Sequence, residues 1–247
     1  MEPSSAASDL PLGLERRIFE ICALSRPVGI PKLMRVAWRV KEWVEPLLYR
    51  TITVGYTGGM KGYPIFTWEI LDAAIRSKPP SFFATAVCNL NIFLPRRGHN
   101  PDPAEIMLSL CTNVHNLSLV SLDQFSSGSR LQSLVHSLPL AHLHADSRLL
   151  FHGIQLSHSV FARVTHLEVW TAPDPEAVTD TSIWAQLSLL PQLTHLSFGG
   201  DTSFIPQGLS LLETCKSLSV LISLSRPGEA VQRHLQALAQ DVRFVVM

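Results

Sequence analysis

Six times along the chain a short phrase of apolar and polar positions returns: residues 87–92, 114–119, 140–145, 164–169, 193–198 and 218–223. Each copy holds an apolar residue, two variable ones, a central leucine, a variable one and, in most copies, another apolar residue. The alternation across its second half has the period of a strand with one buried face. Between the phrases lie segments of helical length, at 68–76, 104–111, 130–138, 151–161, 183–190, 207–215 and 230–239. Their leucines recur at spacings of three and four. Pro103, Pro206 and several Ser, Thr and Asp residues stand where such helices would start.

The central leucines fall at 90, 117, 143, 167, 196 and 221, so successive copies are 24 to 29 residues apart. That period, headed by L-x-x-L-x-L, is the signature of a leucine-rich repeat. Strand, turn, helix and turn at fixed spacing predict parallel strands on one wall and helices on the other. A single unit cannot bury both its faces, so the core has to be the stack itself. The expected class is α/β: a short helical module followed by a leucine-rich-repeat arc over residues 51–247.

The N-terminal stretch has a different rhythm. Residues 1–9 are small and polar and read as a disordered tail, without the charged-then-apolar layout of a signal peptide. From Leu10 the pattern turns helical, with Pro11 at the start and Leu14, Ile18 and Ile21 on one face. A second helical stretch opens at Pro31 and carries Leu33, Val36, Ala37, Val40 and Val44. Pro46 is expected to break it. The chain then enters a first strand at Thr51 to Val54.

Three pieces of this stretch, LPLGLERRIFEI, IPKLMRVAWRV and PLLYRTITV, stand in order ahead of the repeats. They resemble an F-box: an LP-x-x-L opening, an Ile-Phe pair, a V-x-W and a closing Leu-Leu-Tyr-Arg. The whole is similar to fungal F-box-like proteins whose C-terminal part is a degenerate leucine-rich repeat. The resemblance implies the substrate-recognition subunit of a cullin-RING (SCF-type) ubiquitin ligase. Residues 10–50 would dock on a Skp-type adaptor and the repeats would hold a target protein. The implied adaptor anchors are Leu10, Pro11, Leu14, Ile18, Phe19, Val36 and Trp38. The same repeats without adaptor contact would make a protein-binding scaffold.

Composition narrows the remaining choices. Lys plus Arg and Asp plus Glu both number 20, and no Lys/Arg block is present to track a phosphate backbone, so nucleic acid is not an expected partner. Apolar runs stop short of the ~18 residues a membrane span needs, so no membrane is expected either. Cys22, Cys88, Cys111 and Cys215 share no C-x-x-C spacing. Cys111 and Cys215 sit at helix ends as small apolar fillers; reduced core thiols fit a cytoplasmic or nuclear protein. The segment G58-G-M-K61-G lacks both the spacing and the hydroxyl of a phosphate-binding loop. The apolar last strand, after a helix at 230–239, is expected either to be shielded by that helix or to form a contact edge.

If the central leucines point into the core, their immediate neighbours point outward along the strand wall. Stacked at ~4.8 Å, His142, His166 and His195 would form a ladder, with His144, Asp146, Glu168 and Trp170 beside it. Zinc accepts such ligands, yet side chains on parallel strands fan out, and no metal or cofactor is expected. His144 with Asp146 or Glu168 could serve as an acid-base pair, but no nucleophile motif such as G-x-S-x-G accompanies it and an open wall does not exclude water. The patch therefore reads as a non-enzymatic recognition face for a partner protein, anchored by Trp170.

Overall fold

The computed structural model describes residues 10–55, 61–94, 103–121, 130–147, 149–150, 155–170, 184–199, 205–224 and 232–246. The tail expected at 1–9, the glycine-rich tip at 56–60 and most of the loops around 95–102 and 171–180 lie outside them. The chain opens with helices α1 (Leu12–Ser25), α2 (Ile30–Leu33) and α3 (Trp38–Leu48). Next come strand β1 (Thr51–Val54), helices α4 (Trp68–Ser77) and α5 (Pro80–Ala86), and β2 (Asn89–Leu94). Helix and strand then alternate: α6 (Pro103–Leu110), β3 (Asn116–Ser121), α7 (Arg130–Val135) and β4 (His142–Asp146). Two single 3-10 turns, Ser159–Arg163 and Gln186–Leu189, precede β5 (His166–Trp170) and β6 (His195–Gly199). The chain continues through α8 (Gly208–Thr214), β7 (Val220–Ser223), α9 (Gln232–Leu238) and β8 (Phe244–Val246).

All eight strands join one sheet in sequence order, and every neighbouring pair is parallel. The register makes the leucine pattern literal. Ile52, Leu90, Leu117, Leu143, Leu167, Leu196, Leu221 and Phe244 are successive Cα partners across the sheet. All but Phe244 are at most 2% exposed. A second buried row lies two residues on, with Ile92, Leu119, Ala145, Val169 and Phe198. Both rows pack against the inner sides of the helices, at Leu71, Met107, Leu131, Phe161, Leu187 and Leu211, in one continuous hydrophobic cluster. Crossover parallel strands need both ladder partners and a covering layer, which this repeat supplies within each unit.

Several expected boundaries move, each for a local reason. The second helical stretch is two helices, split at residues 34–37, and α3 runs through Pro46. Pro46 stands only two residues from the helix end, and the packing of Val40, Val44, Leu47 and Leu48 outweighs the ladder bond it removes. Where described, the segment near 151–161 holds a 3-10 turn at Ser159–Arg163, and that at 183–190 passes from two helical residues, Trp184 and Ala185, into a 3-10 turn at Gln186–Leu189. Helix α5 was not foreseen; it is short, starts on Pro80, and is held by aromatic contacts. Tyr49, Phe82 and Phe83 meet edge to face at centroid separations of 5.2 to 5.9 Å. Gly55 has φ of +84°, and a Cβ there would lie 2.1 Å from the Phe93 carbonyl oxygen, so the turn leaving β1 admits only glycine.

The four cysteines are free: Cys111 and Cys215 are buried, Cys88 is half-buried and Cys22 is exposed. Burial pushes the Cys111 thiol up to about 12 and raises that of Cys215. A neutral thiol in the core is a poor nucleophile. Iodoacetamide at neutral pH is therefore expected to alkylate Cys22 within minutes and Cys111 and Cys215 only after denaturation, as read by mass spectrometry of tryptic peptides.

Candidate functional site

Two surfaces carry the residues that the sequence singles out. The first is carried by the N-terminal helices. Their inner sides form a small separate cluster in which only Ala23, Ile30, Val40 and Val44 are fully buried, bordered by Phe19, Leu33, Met34, Trp43 and Leu48. Leu48 also touches the main core, and the Lys78–Glu45 ion pair at 2.9 Å, with Lys78 above the Phe82 ring, joins the two bodies. Arg39 forms a two-pronged hydrogen bond to the Glu15 carboxylate, fixing α3 against α1.

With the interior so small, the other apolar face of α1 is left in water. Leu10, Leu14, Ile18, Val36 and Trp38 are between 48% and 71% exposed, and Pro11 is exposed beside them. Phe19 departs from the expectation: it is half-buried and packs on the inner cluster, so it builds the module instead of its outer face. Ile21, on the same helical face as Leu14 and Ile18, is exposed as well, and so are Leu12, Leu24 and Val28. Trp38 is pre-positioned, its indole N–H donating to Glu42 at 2.8 Å while Lys41 lies 4.8 Å from the ring centroid.

The second surface is a groove of about 430 Å³ along the outer face of the sheet. Its floor consists of the residues on either side of each spine leucine. In one column Asn116 donates to Asn89, and Asn89 donates to Thr51 at 2.8 Å. The same column continues as the histidine ladder. His142 and His166 lie 4.2 Å apart, tilted 46°, and His166 and His195 lie 4.2 Å apart at 5°. The Nδ1 atoms of His166 and His195 are hydrogen bonded to the preceding threonines, Thr165 and Thr194, at 2.9 and 2.8 Å. The repeated Thr-His pair in the sequence is the local signal for that arrangement.

In the other column Ser118, His144, Glu168 and Ser197 are successive partners in register. His144 Nδ1 is hydrogen bonded to Ser118 Oγ at 3.0 Å, while its buried Nε2 has no partner. Glu168 therefore does not extend the Ser118–His144 contact into a three-residue relay. Strand amides that would have to hold an oxyanion are committed to the sheet ladder. Among the described residues, no three or more His, Cys, Asp and Glu side chains are placed to hold a metal ion.

Two expected members of the patch behave differently. Asp146 is not outward: it is 3% exposed, and its Oδ1 accepts from the Leu149 amide at 2.8 Å. A carboxylate at a strand end, three residues before an amide without a ladder partner, turns back to cap the following turn. Trp170 is exposed at 46%, and its ring lies flat over Gly199 on the next strand, where a Cβ would approach it within 2.7 Å. It stands outside the lining of the groove.

Burial, and then the charges of His142 and His195, lower the His166 pKa; burial and then His158 lower that of His136. His136 stacks on His158 at 4.3 Å on the helical side of the array. A histidine whose folded-state pKa is depressed takes up fewer protons folded than unfolded below about 6.5, so its stability contribution is present above that pH and lost as pH falls. The melting temperature is expected to be lower at about pH 5.5 than at about pH 7.5, and His136→Gln with His166→Gln should narrow that difference. Calorimetry over that range checks it.

No helix among the described residues is long and apolar enough to cross a membrane. Comparison with protein-family models and with curated proteins finds no match to this chain, so the likeness to F-box-like proteins rests on the residues quoted above.

Proposed function

We propose that this chain is the target-recognition subunit of an SCF-type ubiquitin ligase, with an F-box-like module at residues 10–50 and a leucine-rich-repeat array from residue 51 onward. The module docks on a Skp-type adaptor through the outer face of α1 and the start of α3. The groove along the parallel strands holds the target protein, and ubiquitin transfer is catalysed elsewhere in the complex. The observation that carries the reading is the exposed apolar face, because three short helices that bury four residues completely leave more apolar side chain in water than a free domain keeps without a partner. Helix-on-helix docking is the mode such a face suits.

The test is co-expression of the chain with a Skp-type adaptor, followed by affinity purification and size exclusion. A co-eluting equimolar complex is the expected result. A folded chain that elutes without the adaptor makes the protein an adaptor-free binding scaffold and ends the ligase reading.

A further inference from the structure

The groove has an uneven charge inventory. Among the described residues that line it, Glu168 is the sole fully charged side chain and there is no Lys or Arg. Glu168 is half-buried, and among the described residues no hydrogen bond or ion pair engages its carboxylate. Three strands away, the buried Oδ1 of Asn91 is a second acceptor without a partner. At strand spacing the two are on the order of 14 Å apart, the reach of about four extended residues. An isolated half-buried carboxylate is costly unless something supplies the opposite charge. Arginine, with five donors and no acceptor, supplies it and can also lay its planar group against imidazole rings.

We infer that the groove takes an extended segment of a partner protein bearing an arginine that pairs with Glu168. This inference rests on the groove being the target-binding face. The titratable and charged groups around Glu168 are His142 and His144 on β4, His166 on its own strand and His195 on β6; Asp146 is turned away into its cap. The groove side chains of β2, β3 and β7, such as Asn91, Ser118 and Ile222, carry no ionisable group. Glu168 is therefore the one formal charge that the described lining offers an incoming cation, and the stacked rings 4.2 Å apart offer flat faces beside it.

The experiment is selection from a displayed library of random dodecapeptides on the immobilised full chain at about pH 7.5, with elution by excess soluble chain. The selected peptides are expected to be enriched in arginine. Replacing that arginine by citrulline should weaken binding about tenfold or more, the loss of one charge-assisted hydrogen-bonded pair. Glu168→Gln should abolish the preference for arginine over citrulline. Ser197→Trp, which plugs the groove from its solvent side, is the control. Peptides that bind the plugged variant equally well, or a selection that yields none, would overturn both the groove as binding face and this inference. Peptides blocked by Ser197→Trp but not enriched in arginine would overturn the inference alone.

Discussion

Truncating Phe198 to alanine is expected to lower the unfolding free energy by about 3–5 kcal/mol, the cost of an unfilled aromatic-sized cavity. Phe198 is fully buried in the second row of the sheet, between Val169 and Ser223 in register, and meets the Trp184 ring at 5.3 Å in a tilted edge contact. Few neighbours can collapse into the space, because the flanking row members are fixed by ladder hydrogen bonds on both sides. In a stack where each unit touches only its neighbours, the damage should be greatest nearby. Hydrogen exchange is therefore expected to accelerate most in β5, β6 and β7. The contrast on the same strand is Ser197→Ala: that side chain faces the groove, and the change should stay within about 0.5 kcal/mol. Denaturant melts of the two variants compare the buried and groove faces directly; equal losses would mean that the inward and outward assignments are wrong.

That contrast was legible in the sequence because a strand has a period of two. One central leucine per copy was enough to orient all the strands, and the structure places the predicted Thr51–Val54 strand and the six phrases in one register row. The histidine ladder followed from the same arithmetic. Asp146 did not, because the period holds only while the strand lasts. At its end, the need to satisfy the Leu149 amide decides where a short polar side chain turns. Nor did helix α5 follow, since its stability comes from Phe82 and Phe83 meeting Tyr49, a contact between residues more than thirty positions apart that leaves no local period.

The helical module separates two kinds of apolar residue that periodicity alone had merged. Ile18 and Leu14 are 49% and 56% exposed, whereas Val44 is fully buried. Ile18→Asp, alone or with Leu14→Asp, is expected to leave the melting temperature unchanged within about 0.5 kcal/mol of stability, because the new carboxylate stays in water. If the exposed face docks on the adaptor, the same carboxylate would be buried there without a partner. Loss of an apolar anchor together with an unpaired charge costs well over 2 kcal/mol, so binding should fall by roughly a hundredfold or more. Val44→Asp should do the reverse, unfolding residues 10–50 by placing the charge inside a cluster with only three other fully buried members. Trp38→Ala tests the anchor from the second helix, whose ring is already held by Glu42 and Lys41 and so has little rotamer freedom left to lose on docking. Isothermal titration against purified adaptor, paired with thermal melts of each variant, separates the two effects. Ile18→Asp binding as tightly as the unaltered chain would place the docking surface elsewhere, because no other substitution on α1 introduces a charge nearer the middle of that face.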